Sequence, residues 1–192
     1  DFHKRPHGSA ALAEFAYAVR QHGAHVGVQI NHSGANIHGT SGKTYFAPSP
    51  RERTDGVLIK EMSRDKISET IDMFVDSAKR LKLAGFDMLM LHGAHGWLLD
   101  QFLSPKTNRR TDEYGGSFEN RSRFGRELTE AVRQAVGDDF IIQYRVNGVD
   151  PEVNPEHFGE LTDYLKSISS LIDIVDVSSG ATQSHLPKLP RS

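Results

Sequence analysis

Apolar residues along this chain recur at two alternating periods. Leu12, Phe15, Ala16 and Val19 share one face of a segment running from Ser9 to His22, with Gly23 after it. A stripe of that period predicts a helix with one buried face, and the glycine a C-terminal stop. The apolar run Ala24 to Ile30 then predicts a strand. A long polar stretch leads to Met62, and the helix-then-strand pattern repeats three more times. Ser63, a good N-cap residue, opens a helix that aligns Ile67, Ile71, Phe74, Ala78 and Leu81 and ends at Gly85, ahead of a strand over Phe86 to Leu91. A third helix, Phe118 to Val136, aligns Phe124, Leu128, Ala131, Val132 and Ala135, closes at Gly137 and leads to a strand over Phe140 to Arg145. Asn154 and Pro155, a capping side chain followed by proline at the first helical position, open a fourth helix with Phe158, Leu161, Leu165 and Ile168 on its stripe. The last strand spans Leu171 to Val177 and ends at Ser178-Ser179-Gly180.

Helices alternating with apolar strands predict a parallel sheet with helical cover, either doubly wound or a (β/α)8 barrel. The polar groupings follow the C-terminal ends of strands: Gln29 with Asn31 and His32, His92 with His95, Arg145 with Asn147, Ser178 with Ser179. Both folds bind ligands at that edge. No Gly-x-Gly-x-x-Gly turn follows any strand, which weighs against the dinucleotide-binding version. A complete barrel needs eight strands and four are visible, so a barrel reading makes this chain about half of one.

Bulk properties narrow the class. The 192 residues carry a formal net charge of −2, no footprint for nucleic acid or an anionic membrane. No apolar stretch approaches the ~20 residues of a bilayer span, and the first residues, Asp1 to Pro6, lack the apolar core of a secretory signal. With no cysteine there are no disulfides, thiolate metal sites or iron–sulfur ligands within these residues. The expectation is a cytoplasmic globular piece with no nucleic-acid or membrane partner.

The chemistry concentrates after the second predicted strand, in His92-Gly93-Ala94-His95-Gly96-Trp97-Leu98-Leu99-Asp100-Gln101-Phe102-Leu103-Ser104-Pro105. Two imidazoles three residues apart can converge on one small acceptor and give it two hydrogen bonds. They could equally form a satisfied structural pair, or ligate zinc with His32 or Asp100 as a third ligand, although the helical i, i+4 spacing of the known zinc motif is absent. Gln29 and Arg145 each end an apolar strand on the ligand edge, and a guanidinium there needs an anionic or acceptor partner. Arg109, Arg110, Asp112, Glu119, Arg121 and Arg123 form a dense charge run around Tyr114-Gly115-Gly116; they are expected to pin a loop to the barrel rim. His3, His7, His22, His25, His157 and His185 are expected to be solvated or at helix ends.

His92-Gly-Ala-His95-Gly, Gln101 to Pro105, Asn108 to Ser117 and Glu119 to Phe124 closely resemble the Old Yellow Enzyme family, FMN-dependent ene-reductases and relatives built on a (β/α)8 barrel. In weaker form the resemblance extends from Gly23–Gly34 to Val175–Gly180, as barrel strands three to six. It implies that this is an internal segment, residues 1–192, of one FMN-binding barrel domain. It also implies hydride transfer from reduced flavin to the β-carbon of an α,β-unsaturated carbonyl or thioester, with NADH or NADPH as electron donor. Gln29 matches the glutamine on the flavin pyrimidine ring and Arg145 the arginine beside N1 and O2. His92 and His95 match the pair holding the substrate carbonyl oxygen.

Two positions depart from the family pattern. Trp97 stands where relatives carry the tyrosine that protonates the α-carbon, and an indole N–H has no useful acidity. Ala35 stands where arginine is common. The wording around Met62 to Asp65 and His95 to Trp97 resembles the longer branch of dienoyl-CoA, enoate and bile-acid reductases and trimethylamine dehydrogenase, which add an iron–sulfur cluster and further domains after the barrel. That branch keeps an amine dehydrogenase open as an alternative activity. Strands one and two and the phosphate-gripping loops after strands seven and eight have no counterpart here. A non-catalytic fragment that self-associates without cofactor, or a homo-oligomer, is the alternative from another class.

Overall fold

The structure is a computed structural model that describes residues 8–37, 42–52, 54–148 and 155–178. In chain order these form α1 (Gly8–Arg20), β1 (Gly27–Ile30), β2 (Thr44–Ala47), β3 (Leu58–Glu61), α2 (Arg64–Leu83), β4 (Met88–Gly93), α3 (Leu98–Leu103), α4 (Phe118–Val136), β5 (Ile141–Asn147), α5 (Pro155–Ile168) and β6 (Ile174–Ser178). Strands β1, β4, β5 and β6 pair in that order, all parallel. Each step between them crosses through a helix, the parallel sheet with helical cover that the pattern predicts.

The helices start where the sequence provides side-chain acceptors. Ser63 Oγ accepts from the Lys66 N–H at 3.1 Å and Ser117 Oγ from the Asn120 N–H at 3.3 Å, each satisfying an amide that the first turn leaves without a partner. Their apolar stripes then meet one face of the sheet. Leu89 and Leu91 of β4 and Ile142, Tyr144 and Val146 of β5 are buried against Phe74, Ala78 and Leu81 of α2 and Leu128, Val132 and Val136 of α4. Alternation along a strand sends Met88, Met90 and His92, and Ile141, Gln143, Arg145 and Asn147, to the opposite face. That face carries the polar residues.

Several predicted boundaries shift. The second predicted strand runs to Gly93, so His92 is a strand residue rather than a loop residue. The first begins at Gly27 instead of Ala24, and the last at Ile174, because Leu171 and Ile172 pack into the helix-side core instead. The polar stretch before Met62 holds β2 and β3, a parallel pair with its own small core of Ala47, Val57 and Ile59. Helix α3 was likewise not foreseen. Asn154, Ser179, Gly180, His3, His7 and His185, and the side chain of His157, lie outside the described residues. His22 and His25 are exposed as expected. No helix among the described residues is long and apolar enough to cross a membrane.

Arg110 with Asp112, Arg121 and Arg123 of the charge run are structural, whereas Arg109 and Glu119 are exposed. Arg110, 5 % exposed, sends Nη1 to the carbonyls of Pro48 (3.0 Å) and Met62 (2.7 Å), and Nε and Nη2 to the Asp112 carboxylate (3.0 and 2.6 Å). Arg121 donates to the carbonyls of Leu103 and Gly116 and to Glu160. Arg123 donates to the Glu113 carbonyl. Together they fasten the segment after α3 to α4, α5 and the β2–β3 ribbon.

Candidate active site

Parallel register places the candidate residues on one face of the sheet in successive rows, with Gln29 level with Met90, two residues before His92. Gln29 pairs with Met90, His92 with Arg145, Arg145 with Asp176, and Asn147 with Ser178. All five predicted site residues, Gln29, His92, His95, Trp97 and Arg145, converge at the C-terminal ends of β1, β4 and β5. The His92 and His95 rings lie edge to face with centroids 5.0 Å apart, and Trp97 sits 6.2 Å from His92. Arg145 Nη1 reaches Gln29 Oε1 at 3.4 Å.

His92 is buried, and its Nδ1 accepts from the Ala94 N–H at 3.3 Å. Burial, and after it the charges of His95 and Arg145, push the imidazole down to about 4, against a smaller opposing pull from Asp176. A neutral ring with Nδ1 occupied as acceptor carries its proton on Nε2. His92 is therefore a fixed N–H donor at neutral pH.

His95 is held differently. It has φ of 59°, in the left-handed region that non-glycine residues seldom adopt. Two side chains stabilise this turn. Asn147 Oδ1 accepts the His95 N–H at 2.9 Å, while Asp100 Oδ2 accepts both the Gly96 N–H (2.7 Å) and Asn147 Nδ2 (2.9 Å). His95 Nε2 lies 2.7 Å from Ser178 Oγ, which also takes a hydrogen bond from Arg145 Nη2 at 3.2 Å. Arg145 Nε faces Asp176 Oδ1 at 3.5 Å, yet it is buried and makes no hydrogen bond among the described residues.

The loop after β1 closes the side of the site. Gln101, buried on α3, accepts from the Ala35 N–H at 3.0 Å and donates to the carbonyls of Ser33 (3.1 Å) and Gly96 (2.5 Å). Asn36 Nδ2 donates to the Gly96 carbonyl at 2.8 Å. His32 Nδ1 accepts from the Gly34 N–H, and burial followed by the charge of Lys66 lowers its pKa. Among the described residues no group of three His, Asp or Glu side chains is placed to hold a metal ion. Asp100, the third ligand that a zinc reading would recruit, instead braces the His95 loop.

Sequence reasoning singled out His92 and His95, which the structure brings together, and missed what holds them. Asn147 and Ser178 stand out in the sequence only as polar strand ends, and Asp100 only as part of a motif and as a possible zinc ligand. Their partners lie 52, 83 and 47 residues away along the chain, so that periodicity carries no signal for these contacts.

A family model described as NADH:flavin oxidoreductase / NADH oxidase matches residues 9–188. The chain is 41% identical over 166 residues to an NADPH dehydrogenase of Clostridium acetobutylicum, covering 84% of this chain and 48% of that protein. It is 45% identical over 139 residues to an NADH oxidase of Thermoanaerobacter brockii, covering 71% of this chain and 21% of that one. The chain thus spans about half the length of the NADPH dehydrogenase and about a fifth of the NADH oxidase. Among solved structures, histamine dehydrogenase from Rhizobium sp. 4-9 superposes with a TM-score of 0.75 at 37% identity, over 91% of this chain and 26% of that one. The Old Yellow Enzyme homologue of Zymomonas mobilis gives 0.77 at 27% identity, over 91% and 53%. With the match running through every strand that contributes to the site, the chain belongs to the NADH:flavin oxidoreductase / NADH oxidase family.

Proposed function

We propose that this chain carries the substrate-activating part of an FMN-dependent, NAD(P)H-consuming oxidoreductase that reduces α,β-unsaturated carbonyl compounds or thioesters. One observation carries the reading: a buried, neutral His92 locked as an N–H donor beside His95, in the same row as a guanidinium whose buried Nε makes no hydrogen bond among the described residues. The residues fit the pyrimidine edge of a flavin. Arg145 Nε awaits an acceptor, and the Gln29 amide, exposed at its strand end, can give and accept a hydrogen bond there. FMN, when bound, would receive hydride from NAD(P)H and hand it to the β-carbon.

His92 and His95 hold the substrate carbonyl oxygen and stabilise the negative charge that develops on it. In such a site, losing one preorganised donor typically costs ~10²–10³ in rate. Arg145 supplies a fixed positive charge at the electron-rich edge of the site, partly balanced by Asp176. Trp97 lines the site and offers an indole hydrogen bond, and does not act as the acid that delivers a proton to carbon.

The test is a phenol titration, because a phenolate imitates the oxygen anion. In the FMN-loaded full-length protein, His92→Ala or His95→Ala should abolish the long-wavelength charge-transfer band of bound phenols. An unchanged titration in both variants rejects the reading. Amine oxidation is the second reading, favoured by the likeness to histamine dehydrogenase. Bleaching of the flavin by an amine under anaerobic conditions, with no reoxidation of reduced protein by an enone, would select it.

A further inference from the structure

We propose that Ser178 is a positioning residue that sets the tautomer of His95, holding its proton on Nδ1 and coupling the substrate-oxygen pair to Arg145. The proposal rests on the reading of His92 and His95 given above. It follows from which of these groups can donate. The Arg145 guanidinium is donor-only, so at 3.2 Å from Ser178 Oγ it takes up an acceptor lone pair of that hydroxyl. The hydroxyl keeps one proton to give. Among the described residues, the acceptor within reach is His95 Nε2, 2.7 Å away. With Nε2 accepting, a neutral His95 carries its proton on Nδ1, for which no partner is present among the described residues. That N–H is free to meet a ligand.

The opposite tautomer leaves the cluster worse satisfied. If Nε2–H donated to Ser178, the hydroxyl would receive two N–H groups, from His95 and from Arg145, while its own proton found no acceptor. The unpartnered Nδ1 would present a lone pair, which repels an oxygen anion where a proton would bind it. A buried polar group without a partner is costly, so the three-member chain Arg145–Ser178–His95 has one satisfied direction. His92 reaches the same end by a different route, its Nδ1 held by the Ala94 N–H. The two histidines would therefore donate through different ring nitrogens: Nε2 of His92 and Nδ1 of His95.

The measurement is ¹⁵N NMR of histidine-labelled, FMN-loaded full-length protein, paired with phenol titration and flavin reoxidation by an enone. In the wild type, His95 should show a pyridine-type Nε2 and a pyrrole-type Nδ1. Ser178→Ala should lose that assignment and weaken phenol binding and slow reoxidation about tenfold, the scale of one hydrogen bond. Ser178→Thr, which keeps the hydroxyl, should restore all three. A protonated Nε2 in the wild type overturns the proposal without reference to any variant. So does a Ser178→Ala protein with unaltered spectra and phenol affinity while His95→Ala abolishes the charge-transfer band. If His95→Ala is silent as well, the reading of the pair itself falls and the relay falls with it.

Discussion

Arg145 and His92 are neighbours in one row, and the role of each has a consequence of measurable sign. A cation at the end of a buried strand stabilises whatever anion forms beside it. Arg145→Met should therefore lower the two-electron potential of the bound flavin, by about 30 mV for every tenfold loss in relative stability of the reduced state; a potential that stays level or rises removes Arg145 from the flavin edge. For His92 the argument concerns folding. Burial and its charged neighbours hold the native imidazole down at about 4, while an unfolded chain titrates it near 6.5. Between those values the unfolded state binds the extra proton, so His92 withdraws stability as pH falls from 6.5 towards 4 and nothing above that window. His92→Gln keeps an amide donor and does not titrate. Relative to wild type it should gain stability through the window, by at most about 1.4 kcal/mol per pH unit. Denaturant titrations at a series of pH values check this, and parallel curves for the two proteins would refute the buried, neutral assignment.

At the scale of elements, the β/α alternation was legible because each helix stripe and strand run is long enough to show its period. The β2–β3 ribbon was not, since four-residue strands embedded in polar sequence show none, and its pairing depends on anchors elsewhere. Arg110 is one such anchor, holding the Pro48 and Met62 carbonyls beside the ribbon and Asp112 beneath it. Hydrogen bonding from Arg110 keeps the Asp112 carboxyl below the usual carboxylate range. Its stabilisation is thus present at neutral pH and lost as pH falls through that lowered value. Asp112→Asn should cost about 2 kcal/mol at pH 7, with the gap to wild type closing in acid below 3.8; a gap that persists there would show the carboxylate charge to be irrelevant. The loop after β1 offers a second test. Gly34 has φ of 56°, and an added Cβ would overlap the Gln101 amide. Gly34→Ala should lower stability by about 1–3 kcal/mol and disturb the Gly96 turn that Gln101 holds; thermal denaturation with phenol titration reads both. His92 and His95 were readable for a different reason: they sit in a short motif at a strand end. Their supports, Asn147, Asp100 and Ser178, were not, because folding alone brings them near.

At the scale of the whole molecule, the main sheet has two edges among the described residues, β1 and β6. Val175 and Val177 of β6 are 42 % and 67 % exposed, and Phe15 and Tyr17 of α1 are 56 % and 70 %. Open strand edges and apolar surface of this kind promote association. These 192 residues produced alone should elute well above their 21.4 kDa mass and retain FMN weakly; a yellow, monodisperse monomer with stoichiometric FMN would contradict that. The row of His92, Arg145 and Asp176, with Gln29 one row below it on the same face, has a consequence of another kind. Their spacing across the sheet is set by the hydrogen-bond ladder, at the roughly 4.8 Å step between neighbouring strands, and owes nothing to the length of the connections. Helices and loops between these strands could lengthen, shorten or exchange without moving the row, whereas a one-residue slip of β5 would turn Arg145 into the apolar core. Insertions elsewhere in the connections are therefore cheap and a register slip within a strand is costly, so the row can be inherited intact while the segments that do not carry His95 and its braces are rewritten.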